Sequence, residues 1–131
     1  MHDFTNISRS NSYELIVDKE YNYIIGAYYG LWDKNSQLEY FLEDIKCSIN
    51  ELSTGFSLVI DMTQYKGCMP NYIHLHEEAQ NLLLSSGLNR TAVVLIDNPL
   101  LKANVDFIFQ LSGISPTYFS NMAMAEQWVS M

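Results

Sequence analysis

Phe56–Tyr65, FSLVIDMTQY, restricts the fold of this chain more than any other stretch. Phe56, Leu58, Val59, Ile60 and Met62 are apolar, with Gly55 before the run and Lys66-Gly67 after it. So short and continuous an apolar run is expected to be a strand covered on both faces, the situation of a strand inside a parallel sheet. The strand is expected to leave the sheet at Asp61, where polar groups can gather. Thr91–Ile96 (TAVVLI) is a second run of the same kind, and helical patterns flank both.

Helix signals are strong between the runs. Ser36-Gln37-Leu38-Glu39 reads as a capping box opening a helix with Leu38, Phe41, Leu42, Ile45, Ile49 and Leu52 along one stripe. Its opposite face carries Glu39, Tyr40, Glu43, Cys47 and Glu51, and Gly55 stops it. Met69-Pro70-Asn71 introduces a helix to about Ser86, burying Tyr72, Leu75, Ala79, Leu82 and Leu83. Asn98 and Pro99 are a cap and first helical residue, and that helix runs to Ser112, before Gly113. Thr117–Phe119 is a short strand, and Ser120 or Asn121 caps a last helix in which Met124 and Trp128 share a face. Upstream, Tyr13–Val17 and Tyr23–Leu31 form an antiparallel hairpin, with Gly26 and Gly30 marking a bulge or a close approach. Residues 1–12 are polar and aperiodic, a flexible arm; residues 13–131 form one domain.

The order β-β-α-β-α-β-α-β-α is that of an α/β sandwich with right-handed crossovers. With the hairpin, the strand FSLVIDMTQY, the join TAVVLIDNP and the ending YFSNMAMAEQWV in this order, the chain resembles the STAS-type fold. That group takes in anti-sigma-factor antagonist domains and, more distantly, CRAL-TRIO domains. More closely, the chain resembles small stand-alone STAS-like proteins of bacteria. The resemblance implies a four- to five-stranded mixed sheet in near-sequential order, with helices mainly on one face. Antagonist domains carry a phosphorylatable Ser at the start of the helix after the central strand. Here that segment reads QYKGCMPNY, with no Ser or Thr between Lys66 and Tyr72, so the phosphoswitch does not carry over.

Charge narrows the partners. Fifteen Asp and Glu against seven Lys and Arg give −8, which repels nucleic acid and anionic membrane surfaces. No apolar run approaches the roughly 20 residues of a membrane span, so no membrane insertion is expected. The N-terminus lacks the pattern of a signal peptide, and Cys47 and Cys68 are expected as free thiols in a cytoplasmic protein.

Asp61, Thr63, Lys66, Cys68 and Asn71 are expected in one loop at the C-terminal end of the central strand, with Asp97 and Asn98 at the matching place on its neighbour. That edge is where α/β sheets bind ligands, although no glycine-rich phosphate loop is present and the acids also serve as plain caps. Cys68, beside Lys66 and near a helix start, is a potential nucleophile or a plain loop thiol. His74 and His76 are expected on a solvated helix flank, since two residues of helix turn them about 200° apart and make a poor metal site. No metal, cofactor or catalytic constellation is read.

Two functions follow. The first is a non-catalytic regulatory or binding module, acting through protein contacts or a small apolar ligand, with Tyr40, Glu43 and Cys47 as a further partner face. The alternative is a small enzyme using the Asp61–Asn71 loop. Convergence of Asp61, Cys68 and Asp97 around a cavity favours the enzyme. If all helices lie on one side, the other sheet face is bare: Val59, Val93 and Leu95, or Leu58, Ile60, Val94 and Ile96. Apart from what Phe4 and Ile7 of the arm cover, it then needs a homodimer or an unidentified protein partner.

Overall fold

A computed structural model of the chain describes residues 4–131. Six strands form one sheet in sequential order: β1 (Phe4–Asn6), β2 (Tyr13–Asp18), β3 (Tyr23–Trp32), β4 (Ser57–Cys68), β5 (Thr91–Val94) and β6 (Thr117–Phe119). β1, β2 and β3 are antiparallel neighbours, and β3 to β6 are parallel, joined through α1 (Phe41–Asn50), α2 (Ile73–Ser85) and α3 (Pro99–Ser112). A last helix, α4 (Met122–Val129), follows β6. The mixed α/β architecture is the expected one, with one strand more.

That extra strand corrects the reading of residues 1–12. Residues 1–3 of the expected arm lie outside the described residues. The rest is β1 followed by a strap, in which the Arg9 N–H and guanidinium both donate to Asp44 and the Asn11 N–H donates to the Gln37 side chain. Asp44 is fully buried on α1 and also accepts the Tyr13 hydroxyl at 2.6 Å. A buried carboxylate needs this many donors, because each bond forgone leaves charge without solvation.

β4 is the second correction. It does not leave the sheet at Asp61 but continues to Cys68. Two irregularities make this work. From Ala27 to Tyr29, β3 advances two residues while β4 advances three, from Asp61 to Gln64, and the same happens from Gly30–Trp32 to Tyr65–Cys68. Each extra residue reverses the alternation of side chains. Leu58, Ile60 and Met62 face the helices before the first bulge, and Tyr65 does so after it, leaving Gln64 exposed. Gly30, at the bulge, takes a positive φ of 67°, where a side chain would strain the backbone.

α1, α2 and α3 cover one face, with Phe41, Ile45, Ala79, Leu83, Val105 and Phe109 packed on Leu15, Ile24, Ile60 and Val93. The expected capping box is not formed. Ser36 instead closes a turn, accepting from the Asp33 N–H and donating to the Leu31 carbonyl, and α1 starts at Phe41 without a side-chain cap. α3 matches its signals: the Asn98 side chain accepts from the Leu101 N–H, and Gly113 closes the helix at φ 89°.

The second face is not bare. Val59 lies level with Ala92 and Ile60 with Val93, so Val59, Ala92 and Val94 share that side, and Val93 belongs with Ile60 on the helix side. Ala125 and Val129 of α4 pack on Val59, Ala92, Val94 and Tyr23 in a second, smaller core. α4 therefore seals the part of this face formed by β4 and β5, and the need for a second copy there falls away. Ile7 packs into the helix-side core, not this one.

Ala125 is fully buried and carries only a methyl group, so Ala125→Phe overpacks the contact between α4 and the sheet. The expected cost is about 1–3 kcal/mol, read as a lower urea midpoint. An unchanged midpoint shows that α4 does not seat on Val59 and Val94.

Candidate functional site

The extension of β4 dismantles the expected loop. Thr63, Gln64, Tyr65 and Lys66, at the far end of β4, form one wall of a cleft of about 480 Å³. The other wall is Ile96, Asn98 and the first turns of α3, with Leu100, Leu101 and Asn104. A neighbouring cleft of about 360 Å³ lies on the other side of the α3 N-terminus, between Asp97, Asn98, Pro99 and Lys102 and the β6 residues Tyr118 and Phe119. Ile96 is 51% exposed and borders both clefts, and Leu100, in the first, is 86% exposed.

Of the expected site residues, Thr63, Lys66 and Asn98 thus meet in the first cleft, and Asp97 and Asn98 in the second. Asn71 lies apart, in a turn of 3-10 helix (Pro70–Tyr72), and borders a third cleft with Ser36, Leu38 and Glu39. Asp61 alternates with Ile60 and so points to the α4 side, where its carboxylate accepts the N–H and hydroxyl of Thr63 at 2.9 and 2.6 Å. Cys68 and Asp61 line neither of the first two clefts. Asp61, Cys68 and Asp97 do not converge.

Cys68 is not an activated thiol. It is half-buried against the core beside the Tyr65 hydroxyl, and burial pushes its pKa up, against the smaller opposing effect of that hydroxyl. The same hydroxyl hydrogen-bonds His76 Nε2 at 2.9 Å. His76 is 2% exposed and stacks on Trp32, with ring centres 4.5 Å apart and planes 7° from parallel. Burial drives its pKa down to about 3, so the ring is neutral at ordinary pH.

His76 therefore belongs to the core, not to a solvated flank, while His74 is exposed. The signal was present in the spacing. His76, Ala79, Gln80 and Leu83, the buried residues of α2, repeat at i, i+3, i+4 and i+7, but two of the four are polar. The Gln80 side-chain oxygen accepts the Ser112 hydroxyl of α3 at 2.5 Å. Among the described residues no group of three or more His, Cys, Asp or Glu is placed to hold a metal ion.

The second candidate face is partly occupied by the chain itself. The Arg9 guanidinium lies 4.3 Å over the Tyr40 ring and reaches Glu43 at 3.3 Å. Glu43 and Cys47 border a shallow cleft between the strap and α1, with Ile7 and Lys46. Among the described residues no helix is long and apolar enough to cross a membrane.

No family model matches the chain, and neither does any curated protein. Among solved structures it is similar to an uncharacterized protein from the DUF3478 family with a SpoIIAA-like fold, from Shewanella loihica PV-4. The two are 16% identical, with a TM-score of 0.55, over 98% of this chain and 95% of the other. The fold is thus SpoIIAA-like, that is, STAS-like, as the order of motifs implied.

Two measurements test the buried chemistry. The unfolded imidazole of His76 takes up a proton near its usual pKa of 6.5, while the folded one refuses it until about pH 3. Between these values the unfolded state binds more protons, so stability contributed by neutral His76 is complete above pH 6.5 and is lost as the pH falls. From pH 6.5 to 4.5 the wild type should lose roughly 2 kcal/mol more than His76→Phe in urea melts. Parallel losses overturn the assignment.

The thiols should also differ. Cys47 is exposed and Cys68 half-buried with a raised pKa. A disulfide reagent at pH 8 should label Cys47 first, as read by peptide mass mapping. Faster labelling of Cys68 restores it as a nucleophile.

Proposed function

We propose that this chain is a non-catalytic binding module that works through protein contacts at the C-terminal edge of its parallel strands. The observation that carries this reading is the exposure of Ile96, which borders both clefts, and of Leu100 in the first, beside polar groups: Thr63, Gln64, Lys66, Asn98 and Asn104 in one cleft, Asp97, Asn98, Lys102, Tyr118 and Ser120 in the other. Apolar side chains ringed by hydrogen-bonding groups are the usual anatomy of a protein contact, in which a desolvated centre supplies affinity and the rim supplies register. The Asn98 side chain is engaged at the helix start, and Lys102 is paired with Asp106, so these groups frame the surface and are poor acid–base catalysts.

The enzyme reading loses its support with the separation of Asp61, Cys68 and Asp97 and with the raised pKa of Cys68. A homodimer loses its original motive, because α4 occupies the face it was to cover. The regulatory side of the reading rests on the STAS-like fold. It does not include the antagonist phosphoswitch, since the segment from Lys66 to Tyr72 has no hydroxyl of Ser or Thr.

Leu100→Glu places a charge at the centre of this surface without touching the core. Tagged wild-type and variant proteins, with melting temperatures matched, should be compared by quantitative pull-down from an extract of the cells that make the protein. A partner held by the wild type and depleted at least about tenfold with the variant is the expected result. The same partners on both proteins would overturn the reading.

A further inference from the structure

We infer that α4 is a releasable cover, latched by Arg90, which lifts from β4 and β5 while the sheet and its other three helices stay folded. The inference goes beyond the binding-module reading and does not depend on it. Of the eight residues of α4 only Ala125 and Val129 are buried, and the first brings a single methyl group. Met122 and Trp128 pack at the margin of this small core, and Met124 is 52% exposed. The helices on the opposite face insert larger side chains, among them Phe41, Ile45, Leu83 and Phe109. Apolar attachment grows with the area removed from water, so α4 is the least firmly held of the four.

α4 is also complete in itself. The Asn121 side chain accepts from the Met124 N–H at 2.9 Å, so the cap travels with the helix. Only Ser120 and Asn121 join it to β6, and no strand follows it among the described residues. β4, β5 and β6 pair with one another, not through α4, so its departure interrupts no ladder. Ile60 and Val93 remain packed on the far side. What opening uncovers is Tyr23, Val59, Ala92 and Val94, an apolar strip across β3, β4 and β5.

The polar part of the attachment is concentrated in one side chain. Among the described residues a single hydrogen bond ties α4 to the strands it covers: the Arg90 guanidinium, one residue before β5, donates to the Trp128 carbonyl at 2.6 Å. The same guanidinium lies 5.1 Å from the centre of the Trp128 ring, which meets Phe119 at 5.6 Å. α4 has no basic residue in its last turn. Arg90 supplies from outside the positive charge that the C-terminal end of a helix favours. A charge-assisted bond of this kind is roughly twice as strong as a neutral one. One replaceable contact therefore sets how often the cover opens.

Native-state amide hydrogen exchange of the full chain tests the cover and the latch together. The amides of Glu126 to Val129 should exchange as a group, with protection at least about a hundredfold below that of β4 and β5. Their exchange should also depend less on urea, because lifting one helix exposes little surface. Two variants separate lifting from whole-chain unfolding. Val105, fully buried on α3, stays packed when α4 is open, so Val105→Ala weakens the closed and open forms alike. It should speed exchange in β4 and β5 at least about tenfold and leave α4 unchanged. Arg90→Met keeps an unbranched stem and removes the donor, and should speed exchange in α4 about tenfold. If Val105→Ala speeds α4 in step with β4, α4 leaves only with the whole fold, and the inference is overturned. Indifference of α4 to Arg90→Met overturns it as well, since nothing else on the helix serves as the latch.

Discussion

The stack of His76 on Trp32 is the contact on which the helix-covered half of the structure depends. Trp32 ends β3 and His76 lies in the first turn of α2, and Phe41, the first residue of α1, stands edge-on to the Trp32 ring at 5.0 Å. Tyr65 meets both rings from β4, at 5.9 and 5.7 Å, and its hydroxyl satisfies a nitrogen of His76. Two strands and two helices are thereby fixed at one point by large rings, whose edge-to-face packing contributes about 0.5–1.5 kcal/mol per pair beyond area alone. The first bulge in β4 serves this point. Without the residue that the first bulge adds, Tyr65 faces the other side of the sheet and its hydroxyl no longer reaches His76 Nε2.

What was legible in the sequence follows from whether a local signal was left undisturbed by a distant one. α3 was legible from end to end because Asn98, Pro99 and Gly113 act on their own backbone and nothing else competes for them. The Ser36 box failed because the same hydroxyl is reached first by the Asp33 N–H of the preceding turn. β4 was cut short because its two bulges break the alternation by which a strand is recognised, and because Lys66-Gly67 imitates a terminator. His76 was misplaced because a polar residue in an apolar repeat reads as an interruption until its partner, eleven residues away on a strand, is known. The three-residue β1 carries too short a pattern to be read at all, and owes its place to pairing with β2.

The candidate site was legible as a place and not as a set of residues. Parallel strands put ligand surfaces at their C-terminal ends, and that rule led to Thr63, Lys66 and Asn98. It could not lead to Leu100, since an exposed apolar residue on an amphipathic helix differs from a buried one only in which way the helix is turned. That rotation is set by contacts with β4, α2 and β6, among them the Gln80–Ser112 and Asp106–Tyr118 hydrogen bonds.

The two cores are unequal in a way that bears on how the chain is made. The helix-side core draws on α1, α2 and α3, each synthesised before the strand that follows it, so that face acquires cover as the sheet grows. The opposite face waits for α4, which is translated after every strand it covers. Until those eight residues leave the ribosome, Val59, Ala92 and Val94 form an open apolar strip on an otherwise assembled sheet. A nascent chain from which every strand but not yet α4 has emerged therefore carries one uncovered apolar side, and α4 is the segment that closes it.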